Sequence, residues 1–156
     1  MMLNGCVISY KFNGASIDYT KTKSIAIADF PNVAALVYAP LSSELSDGIR
    51  DLFQRQTRLE VHRRGGDLEL EGEIIDYQLT PMAVSADSYA AETKLTIKVR
   101  VRFTNNVNPE ESFEKTYSAY QIFDASQMLN DVQEELCNTM IQEIAEQIYN
   151  DTVAKW

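Results

Sequence analysis

The chain has 156 residues, of which 45% are hydrophobic and 24% are charged, and its formal net charge at pH 7 is −9. This length and composition are ordinary for one globular domain with a two-layer core. The negative charge argues against nucleic-acid binding, because a protein that neutralises phosphates needs a basic surface. No apolar run in the sequence approaches the length of a membrane-spanning helix.

The N-terminal segment places Leu3 and Gly5 at positions −3 and −1 relative to Cys6. This spacing resembles the cleavage site of bacterial lipoproteins, where small residues flank the scissile bond and the cysteine thiol receives the lipid. Acylation of Cys6 is one interpretation of this segment. We assign residues 1–22 to a lipobox-like N terminus and linker, and residues 23–156 to a single domain. The alternative is a free or bridged cysteine near a frayed terminus.

The segment after the linker is apolar. Residues 23–30 alternate isoleucines with small alanines, which predicts a strand that is buried on both faces. An apolar loop follows at residues 33–40 (VAALVYAP) and shows no regular period. If Leu36, Val37 and Tyr38 are exposed in this loop, they mark a surface for a partner. Alternatively, the loop folds back over the core.

Residues 41–56 are predicted to form an amphipathic helix, because apolar side chains recur along one face. These side chains belong to Leu41, Leu45, Ile49, Leu52 and Phe53. Leu59 and Val61 then begin a short strand, and the Arg-Arg-Gly-Gly sequence at residues 63–66 predicts a tight turn into the next strand.

Two long segments with alternating apolar and charged residues, 68–79 and 93–103, predict a central hairpin with one buried and one wet face. The alternation shifts by one residue at Ile74-Ile75. Because a one-residue slip turns every later side chain to the other face, we expect a β-bulge there. The expected cross-strand pairs are Ile75 with Ile97, Tyr77 with Leu95, Leu70 with Val101, Glu73 with Lys98, Glu71 with Arg100 and Glu69 with Arg102.

The C-terminal third predicts one more strand and one more helix. Residues 112–123 have strand composition but a confused phase, which indicates an edge strand. A helical stripe follows and comprises Val132, Leu136, Met140, Ile141, Ile144, Ala145 and Ile148. The element order β-α-β-β-β-α predicts an α+β fold, a two-layer α/β sandwich. We expect two helices on one face of a mixed, mostly antiparallel sheet of four to five strands.

The sequence offers little for catalysis. The single histidine, His62, has no cysteine or carboxylate at metal-ligand spacing. No nucleophile elbow, phosphate loop or zinc pattern is present. Glu69, Glu71 and Glu73 are better explained as ion-pair partners of basic residues on the facing strand than as catalytic carboxylates. We therefore expect no enzymatic activity, no cofactor and no metal site.

Several stretches together resemble one known family. They are the lipobox-like Cys6 with residues 6–32 (CVISYKFNGASIDYTKTKSIAIADFPN), residues 55–81 (RQTRLEVHRRGGDLELEGEIIDYQLTP), residues 99–120 (VRVRFTNNVNPEESFEKTYSAY) and the closing helix. They are similar to the LptE family of lipopolysaccharide-assembly lipoproteins, in the form found in Bacteroides-like bacteria. The most specific part of the resemblance is residues 55–81 together with residues 100–120.

The resemblance implies a lipid-anchored protein at the periplasmic face of the outer membrane. It implies that the protein sits largely inside a large outer-membrane β-barrel of the lipopolysaccharide translocon, assists its assembly, plugs it and binds lipopolysaccharide. The pair would insert lipopolysaccharide into the outer leaflet. A barrel lumen is polar, so a sheet face of paired charges suits it. The alternative is a free-standing periplasmic lipoprotein that binds a small amphiphile or another envelope protein.

Lipopolysaccharide carries phosphates, which need cations, so a binding site in this acidic chain has to be local. Lys98, Arg100 and Arg102 are poor candidates because carboxylates face them across the hairpin. Arg63 and Arg64 are better, since they adjoin two glycines whose amides can approach an anion closely. The alternative is that both arginines are simply solvated at a turn.

Overall fold

The computed structural model describes residues 17–82 and 91–154. It contains strands β1 (Ser24–Ile27), β2 (Glu60–His62), β3 (Leu68–Pro81), β4 (Glu92–Asn105) and β5 (Phe113–Asp124), with helices α1 (Leu41–Gln56) and α2 (Leu129–Thr152). The strands form one five-stranded sheet in the order β2-β1-β3-β4-β5. The two helices pack on one face, so the expected α+β sandwich with the order β-α-β-β-β-α is confirmed.

The core lies between the helices and the inner face of the sheet. Helix α1 contacts β1 and β2, and α2 contacts β5. The inner side chains of β4 and most of the apolar stripe of each helix are buried, while Leu52, Val132 and Leu136 of the stripes are partly buried. The helices approach closely at Gly48, where a Cβ atom would stand 3.0 Å from Cγ2 of Ile141.

Strand β1 is the middle of a parallel unit, with β2 on one side and β3 on the other. Residues 63–67 connect β2 to β3 and therefore cross β1, whereas the sequence suggested only a tight turn. Gly66 makes this crossing possible: a Cβ atom there would lie 2.7 Å from the amide nitrogen of Ala26 and 3.1 Å from the carbonyl carbon of Ile25. The Asp67 carboxylate secures it by accepting the Lys23 amide at 2.8 Å.

The predicted β-bulge is confirmed. Ile74 pairs with Val99 and Asp76 pairs with Lys98, so the register of β3 against β4 shifts at Ile75. Ile74 and Tyr77 are both buried, one on each side of the shift. The extra residue therefore keeps apolar side chains on the inner face along the whole of β3.

The predicted partners are wrong by two residues, and the predicted pair of Ile75 with Ile97 is also wrong, because Ile75 is the extra residue of the bulge and Ile97 pairs with Tyr77. Observed pairs are Tyr77 with Ile97, Leu79 with Leu95, Leu70 with Phe103, Glu73 with Arg100, Glu71 with Arg102 and Glu69 with Thr104. Because a shift of two leaves every side chain on its expected face, the apolar pattern does not distinguish the two registers. The observed register pairs both strands over their full length, from Leu68 opposite Asn105 to Pro81 opposite Thr93.

Strand β5 lies at the sheet edge, as predicted. Its confused apolar phase has a simple cause: Tyr117, Ala119 and Phe123 are buried on the inner face, while Tyr120 and Ile122 are exposed on the outer one. Apolar side chains therefore occupy both faces of this strand.

Candidate functional site

The outer face of the sheet carries a row of cross-strand ion pairs that we call the ladder. Its members are Glu71, Glu73 and Asp76 on β3 and Lys98, Arg100 and Arg102 on β4. Arg102 Nη1 lies 2.9 Å from Glu71 Oε1, and Arg100 is in close contact with Glu73. Lys98 Nζ is 4.0 Å from Asp76 Oδ2. This face is polar and its charges are locally balanced, so its cations do not form an open phosphate site.

Arg63, one of the two predicted phosphate ligands, has a partner within the domain. Its Nη1 lies 3.2 Å from Oδ1 of Asp29. The same carboxylate accepts a hydrogen bond from Arg50 at 2.5 Å, and this bond holds the pKa of Asp29 below its usual range. Because Arg50 also donates from Nε to the Ile27 carbonyl at 3.1 Å, the cluster joins α1 to the end of β1. Arg63 thus forms an exposed ion pair within the domain.

Arg64 is exposed, and within residues 17–82 and 91–154 it has no hydrogen-bonding or ion-pair partner. Gly65 beside it has φ of 70°, in the left-handed region that glycine tolerates best. Gly66 lies against β1, and its carbonyl accepts a hydrogen bond from Asn106 Nδ2 at 3.0 Å. Within the described residues, the turn therefore presents one guanidinium group without a partner, that of Arg64. Anion binding by Arg63 and Arg64 stays a prediction.

The apolar loop at residues 33–40 is partly exposed and partly packed against the core. Leu36 and Val37 are 42% and 63% exposed, whereas Tyr38 packs against the core and stacks on Tyr77 with ring centroids 6.3 Å apart. Each interpretation of the loop therefore describes part of it. A partner contact through Leu36, Val37 and Tyr38 stays a prediction.

A buried polar cluster lies beneath Tyr38. The Tyr77 hydroxyl donates to Oε1 of Gln133 at 3.0 Å, and the Cys137 thiol lies 3.8 Å from the same hydroxyl oxygen. Burial raises the pKa of the Cys137 thiol to about 11. The thiol is therefore protonated at neutral pH, and Cys137 acts as a packing residue.

Several concave regions occur on the described surface, and two of them lie away from the ladder and from the β5 edge. A cavity of about 340 Å³ lies where the N-terminal segment joins the sheet, between Ile17, Leu68, Phe103 and Val153. A groove of about 520 Å³ runs between α1 and α2. Its rim is acidic, with Glu44, Asp47, Asp51, Glu134 and Glu146.

The described residues contain neither a metal-ligand cluster nor a membrane-spanning helix. No group of three or more metal-ligating side chains occurs within residues 17–82 and 91–154. No helix in those ranges is both long and apolar enough to cross a bilayer. Cys6 lies outside the described residues, so its acylation stays a prediction.

Tyr120 and Ile122 are not among the site residues that the sequence predicted. They are 53% and 40% exposed on the outer face of β5, and Lys94 Nζ lies 4.3 Å from the centroid of the Tyr120 ring. The signal was present in the confused phase of residues 112–123. It indicated the edge position, but it also indicated that one apolar set had to face solvent.

Comparisons with known proteins agree on the fold and point to one family. A family model described as LptE, lipopolysaccharide-assembly, matches residues 22–152. No curated protein matches the chain significantly.

Three solved structures show the same architecture. The rare lipoprotein B from Shewanella oneidensis has 12% identity and a TM-score of 0.54, over 81% of this chain and 90% of that one. A protein from Xanthomonas campestris has 10% identity and a TM-score of 0.55, over 85% and 84% of the two chains. A hypothetical protein from Chlamydia trachomatis has 15% identity and a TM-score of 0.51, over 81% and 93%. At these identities the likeness concerns the fold alone.

Proposed function

The chain belongs to the LptE lipopolysaccharide-assembly family, and from this premise we propose that it is the small, non-catalytic lipoprotein subunit of an outer-membrane lipopolysaccharide translocon. In this role it is anchored by an acyl group on Cys6 at the periplasmic face of the outer membrane. It occupies the lumen of a large β-barrel, assists the assembly of that barrel and helps lipopolysaccharide to reach the outer leaflet.

The family match over residues 22–152 carries this proposal, because it spans the whole described α+β domain. The surface chemistry supports it. A barrel lumen is lined by polar side chains, and the ladder is a polar face with locally balanced charge. Such a face can lie in a water-filled lumen because it does not need to be covered by an apolar partner surface.

The position of the N-terminal segment supports a tether. Ile17 lies beside Leu68, where β3 begins, and beside Asn105, where β4 ends. An anchor on Cys6 would therefore hold the domain by that end of the sheet. Mass spectrometry of the membrane-extracted, full-length protein is expected to show a lipid-sized increment on the peptide that contains Cys6. An unmodified cysteine, or a disulfide to Cys137, would contradict the anchor.

Co-purification from native membranes tests the assignment. A C-terminally tagged, full-length protein is expected to recover one large β-barrel of the lipopolysaccharide-transport type in near-equal amount. A Cys6→Ala variant is the matched control, since it removes the anchor and leaves the described domain intact. A stable pool of wild-type protein without any barrel would instead favour the alternative, a free-standing periplasmic lipoprotein.

A further inference from the structure

The two edges of the sheet differ. Strand β2 forms one edge and is only three residues long. Strand β5 forms the other edge, spans twelve residues and pairs with β4 without a register shift, from Phe103 opposite Phe113 to Glu92 opposite Asp124. Long regular edges are templates for another strand, and proteins usually shorten, bend or cover them. The β5 edge is neither short nor bulged.

One side-chain contact shows which peptide groups of β5 point outward. The Ser118 carbonyl accepts a hydrogen bond from Gln147 Nε2 at 3.2 Å, so it points away from β4. Because the peptide groups of successive residues alternate in direction along a strand, those of Tyr120 and Ile122 also point outward. In the described part of the chain these peptide groups have no hydrogen-bond partner. Helix α2 thus covers the Ser118 carbonyl, and its Glu143 also accepts a hydrogen bond from the Gln121 side chain at 3.4 Å, while the outward peptide groups of Tyr120 and Ile122 have no partner among the described residues.

The same two residues expose their side chains. Tyr120 and Ile122 are large, mostly apolar side chains on a face that otherwise carries charged and small polar residues, and they lie just beyond the Lys98 end of the ladder. Lys94 Nζ lies over the Tyr120 ring, which is nevertheless 53% exposed. Uncovered peptide groups and uncovered apolar side chains thus coincide at one place. A neighbouring strand satisfies both, because its backbone pairs with the edge and its side chains pack across it.

We infer that the edge of β5 at Tyr120 and Ile122 accepts an extended strand from another polypeptide. Donors and acceptors that repeat every second residue match a β-strand. A second copy of this chain is a poor occupant, because each copy carries a net charge of −9 and the two would repel. The inference rests on the proposed function for its partner: the strand belongs to the translocon barrel chain.

Proline at Tyr120 tests the inference. Its N–H points outward, so Tyr120→Pro removes a donor from the edge while the hydrogen bonds to β4 remain. Thr116→Pro is the matched control, since Thr116 also points outward but lies on the other side of the Gln147 contact. Recovery of the barrel in the membrane pull-down is expected to fall at least about tenfold for Tyr120→Pro, equivalent to about 1.4 kcal/mol. Thr116→Pro is expected to retain it.

Photo-crosslinking keeps the inference testable if Tyr120→Pro fails to fold. A photoreactive residue placed at position 120 or 122 is expected to capture barrel peptides whose attachment points differ by two residues, the repeat of a paired strand. Capture of a second copy of this chain, or of lipid alone, would overturn the inference. If wild type recovers the barrel and Tyr120→Pro recovers it equally, the edge is not the site although the proposed function stands. If wild type recovers no barrel, the proposed function itself fails.

Discussion

Replacing Gly66 with alanine perturbs the place where residues 63–67 cross β1. The added Cβ atom would stand 2.7 Å from the amide nitrogen of Ala26 and 2.8 Å from the carbonyl oxygen of Leu68. Ordinary van der Waals contact begins at 3.4 Å, so the excess overlap is about 0.7 Å on one side and about 0.6 Å on the other. Both neighbours are backbone atoms of paired strands, which cannot rotate away as a flexible side chain would.

The expected cost follows from this lack of freedom. Overpacking in a well-packed site costs about 1–3 kcal/mol. We expect Gly66→Ala to lower the free energy of unfolding by about 3 kcal/mol, the upper end of this range. At about 2–4 °C for each kcal/mol, the melting temperature falls by about 6–12 °C. Gly65→Ala is the matched control, because Gly65 has φ of 70° but no atom within 4 Å of the added Cβ. Its strain of about 1–2 kcal/mol is partly offset by about 0.4–1 kcal/mol from the stiffer unfolded chain.

Urea unfolding of the two variants, followed by circular dichroism, measures the difference. We expect Gly66→Ala to lose about 2 kcal/mol more free energy of unfolding than Gly65→Ala, given the overpacking and left-handed strain costs. A Gly66→Ala loss no larger than that of Gly65→Ala would refute the crossing geometry. If the variant were as stable as wild type but bound lipopolysaccharide less well, the glycine would serve a ligand and not the fold.

Two further predictions concern the thiol and the arginine turn. At pH 8 a pKa of about 11 leaves about one Cys137 thiol in a thousand ionised. In a variant without Cys6, a thiol reagent is therefore expected to modify Cys137 only as fast as the protein unfolds, and immediate modification would contradict its burial. Double replacement Arg63→Glu with Arg64→Glu is expected to weaken lipopolysaccharide binding in a vesicle assay more than glutamates at the two ladder arginines of β4. Loss of binding only in the ladder variant, with folding intact by circular dichroism, would rule out the turn as the site.

The sequence predicted those features of the fold that depend on periodicity. The shift at Ile74-Ile75 located the bulge, because apolar side chains have to stay on one face across it. The helix over residues 41–56 followed from a stripe of side chains that the structure buries. Both signals are local, and both consist of the spacing of apolar residues along the chain.

The features that escaped prediction depend on long-range geometry. A register shifted by two residues places the same side chains on each face of the sheet. The sequence pattern therefore does not distinguish Glu71 opposite Arg102 from Glu71 opposite Arg100. The crossing at Gly66 requires knowledge that β1 lies between β2 and β3. Likewise, Asp29 approaches Arg63 only after the sheet forms, since they are 34 residues apart in the chain. None of these contacts produces a periodic pattern in the amino-acid sequence.

Depletion of this protein in its native cell is the most direct test of its proposed role. The proposal predicts that the level of correctly assembled translocon barrel falls, as seen by its heat-modifiable migration on detergent gels, and that surface lipopolysaccharide falls with it. Wild-type protein supplied in trans should restore both. If depletion leaves the assembled barrel and surface lipopolysaccharide unchanged, the role in the translocon is contradicted.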